Sequence, residues 1–317
     1  MANKMKSLAV AYRSFSKHPI LREKVTKIYP DAKFNDNGIA LNGKSLVDFL
    51  QGYEKAIIAL EQIDDTLLSH LPDLKIIAKY GVGLDALDLV AMNKYDVKLG
   101  WKGGTNKRSV SELVISYAIY LLHRVGVAST VVKNGHWKQI KGRQLSDCTV
   151  GIIGCGHIGK DLVKLLQPFN CNILVNDILD FKNFYHENNI TPVRIEELMQ
   201  KSDVVTLHLP LNSSTANIIS RERLQMMKKD AIFMNIARGG LVDEGALKQI
   251  LLENQIAGAA LDVFAIEPPS DIEFAFMENV IVTPHIGGST EEAIIAMGIA
   301  AIDGLDSAKD PLTFLPK

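Results

Sequence analysis

Thr149-Val150-Gly151-Ile152-Ile153-Gly154-Cys155-Gly156-His157-Ile158-Gly159 is the stretch on which the reading of this chain turns. Its first five residues form a short apolar, β-branched run of the kind that makes a buried strand. Three glycines follow in the spacing G-x-G-x-x-G, and a helical pattern opens at Ile158 and runs until Pro168 helps to end it. Glycines there permit a tight turn and close backbone approach, and the helix N-terminus presents free N–H groups to a pyrophosphate. The next strand, Asn172–Asn176, ends at Asp177, about twenty residues past Gly156. A carboxylate at that point accepts hydrogen bonds from both ribose hydroxyls and repels a 2′-phosphate, so the motif points to NAD rather than NADP. Gly154, Gly156, His157, Ile158, Gly159 and Asp177 are the expected cofactor contacts. His157, at an x position, reads as solvated or phosphate-adjacent and receives no chemical role.

Outward from this motif, short apolar runs alternate with helix-length segments, the rhythm of parallel sheets covered by helices. Strands are expected at Leu8–Tyr12, Ala56–Leu60, Lys75–Ala78 and Val97–Leu99, then at Thr149–Ile153, Asn172–Asn176, Asp203–Leu207, Ala231–Asn235, Ala257–Leu261 and Val280–Thr283. At 317 residues the chain exceeds the roughly 250–300 at which one hydrophobic core stops growing. The fold class is therefore α/β, with two doubly wound parallel-sheet domains, Rossmann- or flavodoxin-like. The NAD-binding domain, residues 103–286, is inserted in a substrate domain made of residues 1–102 and 287–317. From Val110, the apolar positions Leu113, Val114, Tyr117, Ala118, Leu121 and Leu122 mark a long amphipathic helix at the handover. Ser289-Thr290-Glu291-Glu292 reads as a capping box for a last helix that crosses back to the first domain, with hinges near Gly103-Gly104 and Gly287-Gly288. The alternative is that this helix covers its own sheet.

The composition, 47% hydrophobic and 22% charged, is that of a globular chain. Thirty-five basic against thirty-six acidic residues, without a basic run, make nucleic acid and anionic membrane poor partners. Met1–Val10 lacks the apolar stretch of a signal peptide, and no run of about 18 apolar residues occurs, so a cytoplasmic location is expected. Cys148, Cys155 and Cys171 form no Cys-x-x-Cys pair and read as reduced thiols, with no metal site implied.

Polar residues just beyond three successive strands supply a candidate chemistry. Arg238 follows in Ala237-Arg238-Gly239-Gly240, Glu267 in Asp262-Val263-Phe264-Ala265-Ile266-Glu267-Pro268, and His285 in Thr283-Pro284-His285-Ile286-Gly287-Gly288. The C-terminal ends of an open parallel sheet face its ligand crevice, so all three can converge there. Hydride transfer to a 2-oxo acid needs a proton donor at the carbonyl oxygen and a cation or N–H cluster at the carboxylate, and these residue types suit both tasks. Taken singly, each has a structural alternative, such as an arginine capping a strand end or a histidine satisfied by backbone.

These motifs, with Tyr80-Gly81-Val82-Gly83-Leu84-Asp85 in the first domain, resemble those of the D-isomer-specific 2-hydroxyacid dehydrogenases, the family that includes D-3-phosphoglycerate dehydrogenase, over nearly the whole chain. The resemblance implies an NAD-dependent oxidoreductase that moves a hydride between nicotinamide and C2 of a small D-2-hydroxy or 2-oxo acid. It implies that His285 is the acid and base, that Glu267 pairs with it, and that Arg238 grips the carboxylate and carbonyl. It places Tyr80, Gly81, Val82 and Gly83 at the substrate carboxylate, and His208, Pro210 and Thr215 at the adenine-side wall. Ala237, Asp262 and Gly287 fall beside the cofactor. Asn106 corresponds to the family's asparagine near the hinge, where it touches substrate or caps the long helix. The long helix and Gly135-His136-Trp137 resemble the family's dimerisation region, so a homodimer is expected.

Departures bear on the substrate. Where phosphoglycerate-directed members generally carry an arginine after the early strand, this chain has Glu61-Gln62, which disfavours a phosphate unless Lys79, Lys102, Lys107 or Arg108 replaces the charge. The hinge reads Trp101-Lys102-Gly103-Gly104, where the family more often has a proline. A glutamine-histidine pairing, typical of formate dehydrogenases, is absent. The alternative from another class is an NAD-binding, peptide-recognising corepressor of the same fold.

Overall fold

The computed structural model describes residues 6–315, and the apolar runs become strands in two separate sheets. The first contains β1 (Lys6–Val10), β2 (Lys33–Phe34), β3 (Tyr53–Ile58), β4 (Ile76–Lys79) and β5 (Lys98–Gly100), in the order β2-β1-β3-β4-β5. Every pairing in it is parallel. Leu8, Ala9, Val10, Ala56, Ile57 and Ile58 are fully buried, as expected of strands covered on both faces. That strand order is the flavodoxin-like one.

The second sheet contains β6 (Thr149–Ile153), β7 (Asn172–Asn176), β8 (Thr191–Pro192), β9 (Val204–Leu207), β10 (Ile232–Asn235), β11 (Gly258–Leu261) and β12 (Val280–Val282). Its order is β12-β11-β10-β9-β6-β7-β8, again wholly parallel. The chain leaves β6 towards one edge and returns on its other side at β9. The β6–β9 boundary is thus the switch point outside which ligands of such sheets bind. The helix Lys107–Leu122 packs on this unit, burying Val110, Val114, Tyr117, Ala118 and Leu122.

The compact units comprise residues up to Asn106 together with those from Glu291, and Lys107–Thr290. Both breaks fall a few residues beyond the positions 102 and 286 read from the sequence. The segment after residue 286 stays with the second unit because the Gly287 N–H donates to Asp262 Oδ2 at 2.8 Å and its carbonyl accepts from Ser109 Oγ at 2.6 Å. The last helix, Glu291–Gly304, belongs to the first unit, where Leu21 lies against Gly298 and the Gly304 carbonyl rests on Gly100 so closely that a Cβ at either glycine would overlap. Leu99 then pairs with Lys309 through N···O contacts of 2.9 and 3.0 Å. The last helix therefore does not cover the sheet that precedes it.

Strand ends differ locally from the sequence reading. β1 stops at Val10 rather than Tyr12 because Tyr12 is the N-cap of a helix that starts at Arg13. β3 ends at Ile58, short of Leu60, which is 73% exposed in a bend. The edge strands β2 and β8 were not anticipated, since two residues carry no periodicity, and Pro192 is tolerated at an edge. Cys148, Cys155 and Cys171 are free thiols. Among the described residues no single helix is long and apolar enough to cross a membrane.

Asp203, just ahead of β9, accepts from Thr149 N at 2.7 Å, Arg143 Nη2 at 3.0 Å and Lys228 Nζ at 3.1 Å. Burial alone pushes its carboxyl up, but the Thr149 N–H and the two cations outweigh that and hold it below the usual carboxylate range. A carboxylate depressed in the folded state contributes stability above its unfolded pKa and loses it as pH falls through the folded value. Asp203→Asn is expected to lower Tm at pH 7 by about 5 °C, on the order of 2 kcal/mol, with the deficit shrinking below about pH 4. Calorimetry from pH 7 to pH 3 checks this, and a deficit constant across that range contradicts it.

Candidate active site

At the end of β6 the chain turns through Gly154, whose φ of +101° is open to glycine and whose Cβ, if present, would lie 2.5 Å from the His208 carbonyl. A side chain on Gly159 would overlap the Gly154 carbonyl, so helix and turn close on each other through two glycines. Gly156 differs, because no atom lies within 4 Å of where its Cβ would stand. It is the N-cap of the helix His157–Leu166 and has no side chain to satisfy the first-turn N–H groups. His157 is exposed at the first helical position and Ile158 is half-buried. The uncapped helix start and the open side of Gly156 suit a pyrophosphate.

Asp177 lies just past β7, but its Oδ2 also accepts from Cys155 N at 2.6 Å and its Oδ1 from Leu179 N at 2.8 Å. It therefore shapes the glycine turn as well as standing where a ribose would be read. His208 Nε2 meets Thr206 Oγ1 at 3.1 Å, while its Nδ1 is buried with no partner among the described residues. Burial pushes this imidazole down to about 3, so it is neutral near pH 7. The Thr215 hydroxyl donates to Pro210 O at 2.7 Å and accepts from Asn212 N at 2.9 Å, which commits it to its own turn.

The three candidate chemical residues follow adjacent strands that end in step: Asn235 of β10 pairs with Leu261 of β11, which pairs with Val282 of β12. Beyond β10, Asn235 Oδ1 accepts from Ala237 N at 3.1 Å and its Nδ2 donates to Arg238 O at 2.7 Å. This clamp fixes the half-buried Arg238, whose Nη1 donates to Ala237 O at 2.7 Å. Beyond β11, Glu267 Oε1 accepts from Phe264 N at 3.2 Å, and its Oε2 lies 2.9 Å from His285 Nδ1. The carboxylate orients the ring through Nδ1 and leaves Nε2 outside that contact. His285 is 46% exposed at its side chain and has a φ of +56°, a left-handed conformation uncommon for residues other than glycine.

Asp262, expected beside the cofactor, has another role in this geometry. Its Oδ1 accepts from Ile286 N at 2.7 Å and Thr283 Oγ1 at 2.5 Å, and its Oδ2 from Gly287 N at 2.8 Å. Thr283 Oγ1 also meets Tyr117 OH at 2.5 Å, so the long helix braces the histidine loop. Burial pushes the Tyr117 hydroxyl up to about 12. Asn235, Thr283 and Tyr117 went unassigned in the sequence. A polar residue closing an apolar strand was a signal for Asn235, whereas Tyr117 was hidden within an apolar stripe.

In the first unit, Tyr80 N donates to Ile58 O at 2.7 Å and its ring stacks edge-on against Phe15 at 5.3 Å. Gly81 follows with φ +128°, Val82 and Gly83 are half-buried, and Val82 O accepts from Trp101 Nε1 at 3.2 Å. Glu61 is buried and its Oε2 accepts from Ala59 N at 2.6 Å, while the buried Lys79 donates to Ala59 O. Burial pushes the Glu61 carboxyl up, against the Ala59 N–H and the charge of Lys79. Asn106 Oδ1 is buried without a hydrogen-bond partner among the described residues, so it does not cap the helix that begins at Lys107.

Comparison with known proteins shows the family. Residues 115–287 match the model of the D-isomer specific 2-hydroxyacid dehydrogenase NAD binding domain. The chain is 35% identical over 282 residues to D-3-phosphoglycerate dehydrogenase of Methanocaldococcus jannaschii, covering 88% of this chain and 54% of that one. It thus spans about half the length of that relative. It is also 35% identical over 236 residues to hydroxypyruvate reductase of Thermotoga maritima, covering 73% and 76% of the two chains. The crystal structure of D-lactate dehydrogenase with NAD+ from Lactobacillus jensenii aligns with a TM-score of 0.79 at 26% identity, over 96% of this chain and 98% of that one. The chain belongs to the NAD-dependent D-isomer-specific 2-hydroxyacid dehydrogenase family.

The glycines separate stability from binding. Gly159→Ala is expected to destabilise the fold by about 2 kcal/mol or more through overpacking. Gly156→Ala is expected to leave Tm within about 2 °C while weakening NADH binding more than about ten-fold, because its methyl enters the anion's space. Fluorescence titration with NADH and thermal melts of both variants check this; full-strength NADH binding by Gly156→Ala contradicts the assignment.

Proposed function

We propose that this protein interconverts a small D-2-hydroxy acid and its 2-oxo acid with NAD, and that its substrate is an unphosphorylated acid of the hydroxypyruvate or glyoxylate size. The observation that carries the reading is the 2.9 Å contact of His285 Nδ1 with Glu267 Oε2, placed one strand from the end of β10 and its Arg238. NAD, when bound along Gly154–Gly159 and Asp177, supplies or accepts the hydride. In reduction, His285 Nε2 delivers a proton to the carbonyl oxygen, and Glu267 stabilises the imidazolium before that transfer and orients the ring. Arg238 favours the negative charge that develops on that oxygen and offers a planar fork to the carboxylate. In the first unit, the Gly81-Val82-Gly83 backbone, which follows the packed Tyr80, is proposed to offer N–H groups to an anion. Asn106 Oδ1, buried with no partner among the described residues, supports a polar contact to substrate over a capping role.

The preference for an unphosphorylated acid rests on where the cations go. Lys79 is buried beside Glu61 with its ammonium on the Ala59 carbonyl. Arg108 makes a two-pronged contact with Asp161, Nε to Oδ2 at 2.9 Å and Nη2 to Oδ1 at 3.2 Å. Of the four candidates to replace the family's phosphate-binding arginine, two are thus already engaged. The helix Val125–Lys133 buries none of its own residues and Trp137 is 90% exposed, which supports a homodimer formed over this surface.

Oxidation of NADH followed at 340 nm with hydroxypyruvate, glyoxylate, pyruvate and phosphohydroxypyruvate tests the substrate. The expected kcat/KM favours hydroxypyruvate or glyoxylate over phosphohydroxypyruvate by about ten-fold or more, and the reverse order overturns the preference. His285→Asn is expected to lower kcat by about 10²–10⁴ with NADH binding retained. Arg238→Lys is expected to lower kcat/KM by at least about ten-fold, since a point charge lacks the fork. Wild-type turnover by the His285 variant overturns the mechanism.

A further inference from the structure

A second carboxylate stands behind the Glu267–His285 pair. The turn after β11 offers two successive N–H groups: Phe264 N donates to Glu267 Oε1 at 3.2 Å, and Ala265 N donates to Glu244 Oε1 at 2.7 Å. Glu244 is the first residue of the helix Glu244–Leu252, and the short segment that joins it to β10, residues 236–243, carries Arg238. Gly239 in that segment lies so close to the Phe264 and Ala265 backbone that a Cβ there would overlap it. The Arg238 segment therefore touches the Glu267 turn right after Arg238, through Gly239, and grips it at its end, through Glu244.

We infer that Glu244 is a positioning residue for the reaction: it clips the loop that carries Arg238 to the turn that carries Glu267, and its negative charge backs the Glu267–His285 pair. This rests on the catalytic reading of His285. Glu244 is half-buried, and burial, opposed by the Ala265 N–H and reinforced by the charge of Glu267, pushes its carboxyl up. The two carboxylates accept from successive N–H groups of one turn, so removing the charge of one changes the field at the other. The other charged groups nearby are accounted for. Asp262 faces the Ile286 and Gly287 N–H groups, Asp243 caps its own helix through Ala246 N, and Lys248, a turn further on, is held by Asp271 and Glu273. Arg238 lies in the same segment, ahead of Glu244.

Two variants separate the clip from the charge. Glu244→Gln keeps a carbonyl to accept the Ala265 N–H and removes the charge. The alkaline limb of its kcat/KM profile for 2-oxo acid reduction is expected to move to lower pH by about half a unit, with the plateau within about three-fold of wild type. Glu244→Ala loses the clip as well, and its plateau is expected to fall by about ten-fold or more while the Kd for NADH changes by less than about two-fold. Histidine side-chain NMR, with the His285 resonance identified by its loss in His285→Asn, reads the same shift without turnover. It therefore judges Glu244 even if the proposed substrate class is wrong. A Glu244→Gln titration and profile that superimpose on wild type overturn the charge role, and a Glu244→Ala plateau equal to wild type overturns the clip.

Discussion

The buried carboxylate of Asp262 is the constraint on which the candidate site depends. β11 delivers it to the level of the loop ends, and there it accepts from the Thr283 hydroxyl and from the Ile286 and Gly287 N–H groups. Hydrogen bonds to a charged acceptor contribute about 1.5–3 kcal/mol each, ample to hold a loop of this length in one conformation. The conformation so enforced includes the left-handed His285 backbone, which persists where its surroundings over-determine it. Here they do: His285 N bonds to Asp262 O on one side, and Asp262 takes the next two N–H groups on the other.

From that anchor the remaining geometry follows from the sheet. Parallel strands lie about 4.8 Å apart, so residues that leave β10, β11 and β12 at one level emerge as neighbours without further design. Each loop then needs only a local device to aim its side chain. Asn235 clamps the Arg238 turn, the Phe264 N–H holds Glu267, and Asp262 sets His285. The cofactor corner lies past β6 and is shaped differently, by close approach: Gly154 and Gly159 bring the backbones together, and Asp177 secures the turn through the Cys155 N–H.

Much of this was legible in the chain. The strands around G-x-G-x-x-G lie where the apolar runs place them, because strands buried on both faces are short, continuous and bounded by polar or glycine residues. Arg238, Glu267 and His285 stand out as candidates because each sits just past such a run. The residues that support them were not legible, for a common reason. A hydroxyl or amide that bonds across the fold leaves no periodic trace, and Tyr117, Thr283 and Asn235 read locally as a stripe tyrosine and two strand-end polars. The pairs β2 and β8 escaped because two residues are too few for a pattern. Asn106 reads both ways in the sequence, because only the fold buries its side-chain oxygen away from any partner among the described residues.

Sequence by itself determined the α/β class, the dinucleotide turn with its terminal carboxylate, and the family, because these depend on local conformation and on the order of residues along the chain. Tertiary structure decided that Asp262 braces the histidine loop, that Thr215 serves its own turn, that Lys79 and Glu61 are buried together, and that the last helix joins the first unit. Each of those depends on contacts between residues distant in the chain, whose distances and burial exist only once the sheets have assembled.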